Sequence, residues 1–279
     1  MFLRLSHPLR RTAAIACICG AGVAGGCAPQ VSTQQEVAMG QDYARQLNRQ
    51  LPLINDGASL NYINQIGRQI ARNADPRGIQ YNFYLVNSAA VNAFAVPGGQ
   101  VYVNRGLIER ADNFSELAGV LAHEIGHVVE RHSIEQWQRA QQANMGLGLL
   151  YGVLLGRNPG GVEQAVVQLG GGAVFAGYGR DAEREADAVA IPYLVRSGVN
   201  PNGMVTFFQK LLQEQQRAPS RVEQWFSTHP LTQERVNNTR AAIQATPGAN
   251  SPQLAVDTQA FQSFKARVRA LQPQPSDRR

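Results

Sequence analysis

Residues 121–127, Leu121-Ala122-His123-Glu124-Ile125-Gly126-His127, set two histidines four positions apart in an apolar run. At about 100° per residue, an i, i+4 pair lies only about 40° apart on a helix, so both imidazoles share one face. Two neutral imidazoles so placed suit Zn²⁺, and the intervening Glu124 can reach an attacking water as general base. Leu117, Val120, Leu121 and Val128 mark the helix as buried, where an unpaired polar cluster would be costly. Asn113, with Glu116 three residues on, reads as a capping-box start, and the pattern carries the helix to about Ala140.

A catalytic zinc takes a third protein ligand and leaves one position open. Seven and ten residues after His123 stand Glu130 and Ser133, not the Gly and His of the metzincin extension. His132, nine residues after His123, falls about 180° from the ligand face of a continuous helix and reads as a structural hydrogen-bonder. Glu130 reads as a solvated helix charge. No acid lies between Glu135 and Glu163, so a carboxylate ligand must come from farther on. Asp181, Glu183, Glu185 and Asp187 open the next polar helix, expected over 181–196. Glu183 and Asp187 are i, i+4 and share a face, so Glu183 can ligate while Asp187 accepts the ring N–H of a liganding histidine. Glu185 points away, and Asp181 reads as the N-cap. Acids in a first turn are what the helix dipole favours anyway; beside the histidine pair they read as part of a site.

Upstream, the apolar spacing predicts helices over about 36–50 and 59–73. Runs at 81–86, 93–96 and 100–103 around Pro97-Gly98-Gly99 predict a short β-sheet with a hairpin. Downstream, residues 143–179 hold eleven glycines among Leu, Val and Ala, and two apolar helices joined at 157–161 are expected there. Met204, Phe207, Phe208 and Leu211 mark another helix, with the last two expected over 231–244 and 259–271. The expected domain is α+β and mostly helical, a single unit over 36–272 with a tail at 273–279.

The charge is unevenly spread along the chain. Of 26 basic residues against 20 acidic, a net +6, three arginines lie in residues 1–26 with no acid. The remaining chain holds 23 basic against 20 acidic residues, or +3, and no nucleic-acid partner is expected. Residues 1–26 have the basic start and roughly 14-residue apolar run of an export signal, too short for a membrane span. Ala24-Gly25-Gly26-Cys27 resembles a lipobox, with Cys27 as the lipidated residue and 27–35 as a tether. The other two cysteines, Cys17 and Cys19, also lie in the signal, so no internal disulfide is expected. The expected location is the periplasmic face of the outer membrane, reached by lipid anchor only.

Four blocks now stand in order: Asn92-Ala-Phe-Ala-Val-Pro-Gly-Gly99 with Arg105-Gly-Leu107, then Leu121–His127, then Glu183-Arg-Glu-Ala-Asp187, then Ser227-Thr-His-Pro230 with Arg235. Together they resemble the M48 family of zinc metalloendopeptidases over about 36–245, and most closely its lipidated members without helical repeats. The resemblance implies a gluzincin-like fold, one zinc per chain, and His123, His127 and Glu183 as ligands. It also implies an edge strand, Asn92-Ala93-Phe94, along the substrate cleft, where main-chain hydrogen bonds would hold extended peptide. His229 could be a plain turn residue, a donor to the oxyanion, or an occupant of the open zinc position. Arg235 is an oxyanion or structural candidate. The expected substrates are unfolded or misassembled envelope proteins. The rival expectation is a chaperone or scaffold for outer-membrane proteins, with proteolysis latent and gated by the glycine-rich segment.

Overall fold

Ser32 accepts the Gln35 N–H while Gln35 accepts that of Ser32, a reciprocal cap that starts helix α1 (Thr33–Gln50). Apolar spacing alone puts this start at residue 36; the cap moves it three residues earlier, into the expected tether. The computed structural model describes residues 31–149 and 177–271. Cys27, the joint at 157–161 of the two expected apolar helices and the tail lie outside the described residues. Helix α2 (Gly57–Ala74) follows, capped by Asp56 and burying Ile63, Ile66 and Ile70.

Strands β1 (Asn82–Val86), β2 (Ala93–Val96) and β3 (Gln100–Asn104) form one sheet in the order β1-β3-β2. β2 and β3 are the expected antiparallel hairpin. Gly98 in its turn is needed twice over: its φ is +71°, and a Cβ there would stand 2.6 Å from the Val37 Cα of α1. β1 joins parallel to β3, Phe83 opposite Val101 and Leu85 opposite Val103. Phe83, Leu85, Ala93, Ala95, Val101 and Val103 turn into the main core. On the other face the rings of Tyr84, Tyr102 and Phe94 stack in a row, 4.7 and 5.0 Å apart.

After a short helix, α3 (Arg105–Arg110), comes the central one, α4 (Phe114–Val129), with every residue from Ser115 to Val128 buried. Asn113 caps it by accepting the Glu116 N–H, but the Glu116 carboxylate takes the Asp112 N–H, so the expected capping box is half formed. The expected single helix to Ala140 is in fact two. Arg131 sits at φ +61°, and α5 (His132–Leu149) starts immediately after it. That left-handed arginine is held by the buried Glu36 carboxylate, 2.9 Å from its Nε, and by the Val31 carbonyl. Such contacts offset the strain of a non-glycine residue in that region.

Helix α6 (Arg180–Arg196) packs along α4. Its N-cap is Gly179, so Asp181 is a first-turn acid and not the cap. Gly126 is what lets α6 close in: a Cβ there would meet the Ala186 carbonyl oxygen at 3.1 Å. α7 (Asn202–Arg217), α8 (Pro219–Thr228), α9 (Gln233–Ala245) and α10 (Gln259–Arg269) complete the described chain. α7 lies against α4 and puts Phe207 and Phe208 in the core. α8 has no counterpart among the helices expected from spacing, and it positions His229.

Candidate metal centre

Beyond its first turn α4 is apolar all round apart from three groups on one stretch, His123, Glu124 and His127, each fully buried. Their partners come from α6 and from the end of α8. Glu183 is also fully buried, and His229, the C-cap residue of α8, is 1% exposed. The Nε2 atoms of His123 and His127 stand 3.1 Å apart, and His229 Nδ1 is 3.4 Å from the first of them. Glu183 Oε1 lies 3.3 Å from His127 Nε2 and 3.0 Å from His229 Nδ1. One donor atom from each of the four residues falls within 4.8 Å of the others.

This donor set, imidazole nitrogens with a carboxylate oxygen, fits zinc. The electrostatics agree, because the site draws positive charge inward. Burial disfavours charge on Glu183, yet the surrounding imidazoles hold its carboxyl well below the usual range. On His123, desolvation is outweighed by Asp187 and Glu183, which raise its pKa to about 10. His127 goes the other way, pushed well below its ordinary value by burial. A cation at the centre would supply the charge that the carboxylates attract.

Glu124 stands apart from the donor set. Desolvation pushes its pKa up, opposed by the His229 and His123 imidazoles and by the Ala95 main-chain N–H. Among the described residues no side chain hydrogen-bonds either carboxylate oxygen, and His229 Nε2 stands 3.3 Å from one of them. A buried carboxylate so weakly partnered is expensive unless a function requires it.

The supporting residues fall largely where the i, i+4 reading of α6 puts them. Asp187 Oδ1 is 2.9 Å from His123 Nδ1, on the far side of that ring from the donor cluster. Arg235, from α9, gives Asp187 two donors, at 2.8 and 2.9 Å, and further N–H groups to Glu183 Oε2 and the Pro230 carbonyl. Its guanidinium is thus engaged with both carboxylates, which agrees with the structural of the two roles expected for Arg235. Glu185 does point away from the donors, but its carboxylate meets His132.

β2 borders the site. Thr228, the residue before His229, donates its Oγ1–H to Asn92 Oδ1 at 3.4 Å. The Asn104 N–H donates to the Asn92 carbonyl, so Asn92 and Phe94 turn their main chains towards β3. Ala93 therefore presents its main chain to the other edge. Of the three expected strand residues, it alone has the orientation that backbone pairing with a peptide needs.

Two aromatic residues at the centre are absent from the sequence-based expectation. Tyr178 stacks on the His127 ring at 3.8 Å and 13°, and Trp225 lies 4.8 Å from the His229 ring. The only sequence signal for Tyr178 is an aromatic residue at the end of a glycine-rich run, which says nothing of its target. Trp225, with Val222 three residues before it, is the buried stripe of α8.

A family model described as Peptidase family M48 matches residues 58–243. The chain is 38% identical over 218 residues to the beta-barrel assembly-enhancing protease of Yersinia pestis, covering 75% of this chain and 44% of that protein. It is 37% identical over 216 residues to the protein of the same name in Escherichia coli K12, with the same coverage. Metalloprotease YcaL of Escherichia coli K12 is 27% identical over 227 residues, 78% of this chain and 77% of that protein. The chain thus spans under half the length of the beta-barrel assembly-enhancing proteases it matches.

Proposed function

The chain belongs to peptidase family M48, and from that premise we propose that it is a zinc-dependent endopeptidase of the bacterial cell envelope. The observation that carries this reading is the convergence of His123, His127, Glu183 and His229 beside the fully buried Glu124. In this reading His123, His127 and Glu183 hold one zinc ion, with Asp187 fixing the His123 ring. When bound, the ion supplies Lewis-acid polarisation of the scissile carbonyl and of the attacking water. Glu124 takes the proton from that water and returns it to the leaving amine.

His229 has two parts to play. With Nδ1 among the donors and Nε2 towards Glu124, it would fill the place a water needs and keep the resting site closed. Once substrate displaces it, the same imidazole can donate to the oxyanion. The outward main chain of Ala93 would pair with extended peptide, a mode tolerant of sequence. That tolerance supports unfolded or misassembled envelope proteins as substrates, and two of the relatives are named for beta-barrel assembly. The lipobox-like sequence at Cys27 supports a lipid anchor at the periplasmic face of the outer membrane. Among the described residues no helix is long and apolar enough to cross a membrane.

The closed His229 also favours a second reading, in which the chain holds outer-membrane proteins in the same groove while proteolysis stays latent. Cleavage of unfolded casein tests both. The zinc-loaded chain should degrade casein, stop when a chelator strips the metal, and recover when zinc is restored. Cleavage indifferent to the chelator would remove the zinc mechanism. Client binding by a zinc-loaded chain with no turnover would select the latent reading.

A further inference from the structure

The break between α4 and α5 has a chemical result. A continuous helix would carry His132 about 180° away from His123, but the left-handed Arg131 turns the chain back. His132, only 4% exposed, then places its Nδ1 2.9 Å from the Nδ1 of His127. Its Nε2 lies 3.3 Å from a carboxylate oxygen of Glu185, a side chain that is 56% exposed.

The geometry points to His132 as a positioning residue that fixes the ring of His127 for metal binding, with Glu185 as its own anchor. This rests on the metal-centre reading above. His127 turns Nε2 to the donor cluster, so that nitrogen keeps its lone pair and the ring proton sits on Nδ1. That N–H donates to His132 Nδ1, which must then be unprotonated. His132 carries its proton on Nε2 and donates it to Glu185. The ring protons of His127 and His132 are thereby assigned, with the Glu185 carboxylate as the last acceptor. The two histidines of α4 are consequently held differently: His123 directly by a carboxylate, His127 by an imidazole that is itself held by one.

The next residue of α5 adds a second restraint. Ser133 Oγ is 2.7 Å from the Tyr178 hydroxyl, and Tyr178 covers the face of the His127 ring. His127 is therefore fixed at its edge by His132 and across its face by Tyr178. Such outer partners of a metal-bound histidine orient the ring and set its basicity, and losing one typically weakens metal binding by about 10–100-fold.

Competition with a chromophoric chelator measures the zinc affinity of the wild type, His132→Leu and His132→Asn. The unfolding temperature of each metal-free chain reports any structural damage. His132→Leu should bind zinc about 10–100-fold more weakly while the metal-free chain unfolds as the wild type does. His132→Asn, whose Oδ1 can accept where Nδ1 stood, should recover most of that loss. Wild-type affinity in His132→Leu would overturn the proposal, whereas a wild type that takes up no zinc would overturn the metal-centre reading instead. If His132→Leu does not fold, nitrogen NMR of the zinc-loaded wild type decides. A His132 ring protonated on Nε2 supports the chain of donors, and one protonated on Nδ1 contradicts it.

Discussion

A Glu124→Gln chain should keep its zinc and lose casein cleavage by about 10²–10⁴-fold, the contribution usual for a positioned general base. The amide has the shape of the carboxylate and cannot take a proton from the attacking water. Glu124 stands outside the group of converging donors, so metal content should not change. Burial raises its pKa above the ordinary carboxylate value, the direction that favours handing a proton on to the leaving amine. Among the described residues no side chain hydrogen-bonds it, so the substitution breaks no side-chain network there. Zinc analysis and a casein assay on the same preparation separate the possibilities. Retained zinc with cleavage at the wild-type rate would remove Glu124 from the chemistry.

The second large effect is on stability. Replacing Arg235 by Met should destabilise the metal-free chain by about 3–5 kcal/mol, the usual cost of removing one partner from a buried ion pair. Arg235 is 4% exposed, makes two hydrogen bonds to Asp187 and one to Glu183, and lies over the Phe208 ring at 5.3 Å. Methionine keeps much of the apolar stem but takes the guanidinium away from two buried carboxylates. Zinc should restore part of the loss by compensating Glu183, while Asp187 keeps only its contact with the His123 ring. Denaturant unfolding with and without zinc measures both effects. A loss below about 1 kcal/mol in the metal-free chain would place Arg235 among the weak surface-like pairs.

The legible part of the site was whatever rides on one helix at fixed spacing. His123 and His127 on α4, and Glu183 and Asp187 on α6, are both i, i+4 pairs, and the fold brings the two faces together as that spacing requires. The hairpin was legible because Pro97-Gly98-Gly99 sits between two β-rich runs. Placement across the chain was not. β1 pairs with β3 from some eighteen positions away, Asn82 with Gln100, and no local pattern encodes a parallel partner. The turn at Arg131 depends on Glu36 and Val31, about a hundred residues earlier, so a helical pattern runs straight through it. For the same reason the helical period puts His132 on the wrong side of the helix, although the hydrogen-bonding role it suggests agrees with the contacts to His127 and Glu185. α8 was hidden because Val222 and Trp225 are a thin apolar stripe in a polar stretch. Arg235 could be matched to a block, but only its contacts tell an oxyanion donor from a clamp on two carboxylates.

X-ray absorption at the zinc edge tests the central claim most directly, with His229→Ala beside the wild type. The wild type should bind about one zinc per chain, with three imidazoles and one carboxylate at roughly 2.0–2.2 Å. His229→Ala should keep the zinc with two imidazoles and the carboxylate, the vacated position taken by water. A chain that binds no zinc, or whose zinc has no imidazole neighbours, would contradict the metal centre built from His123, His127 and Glu183.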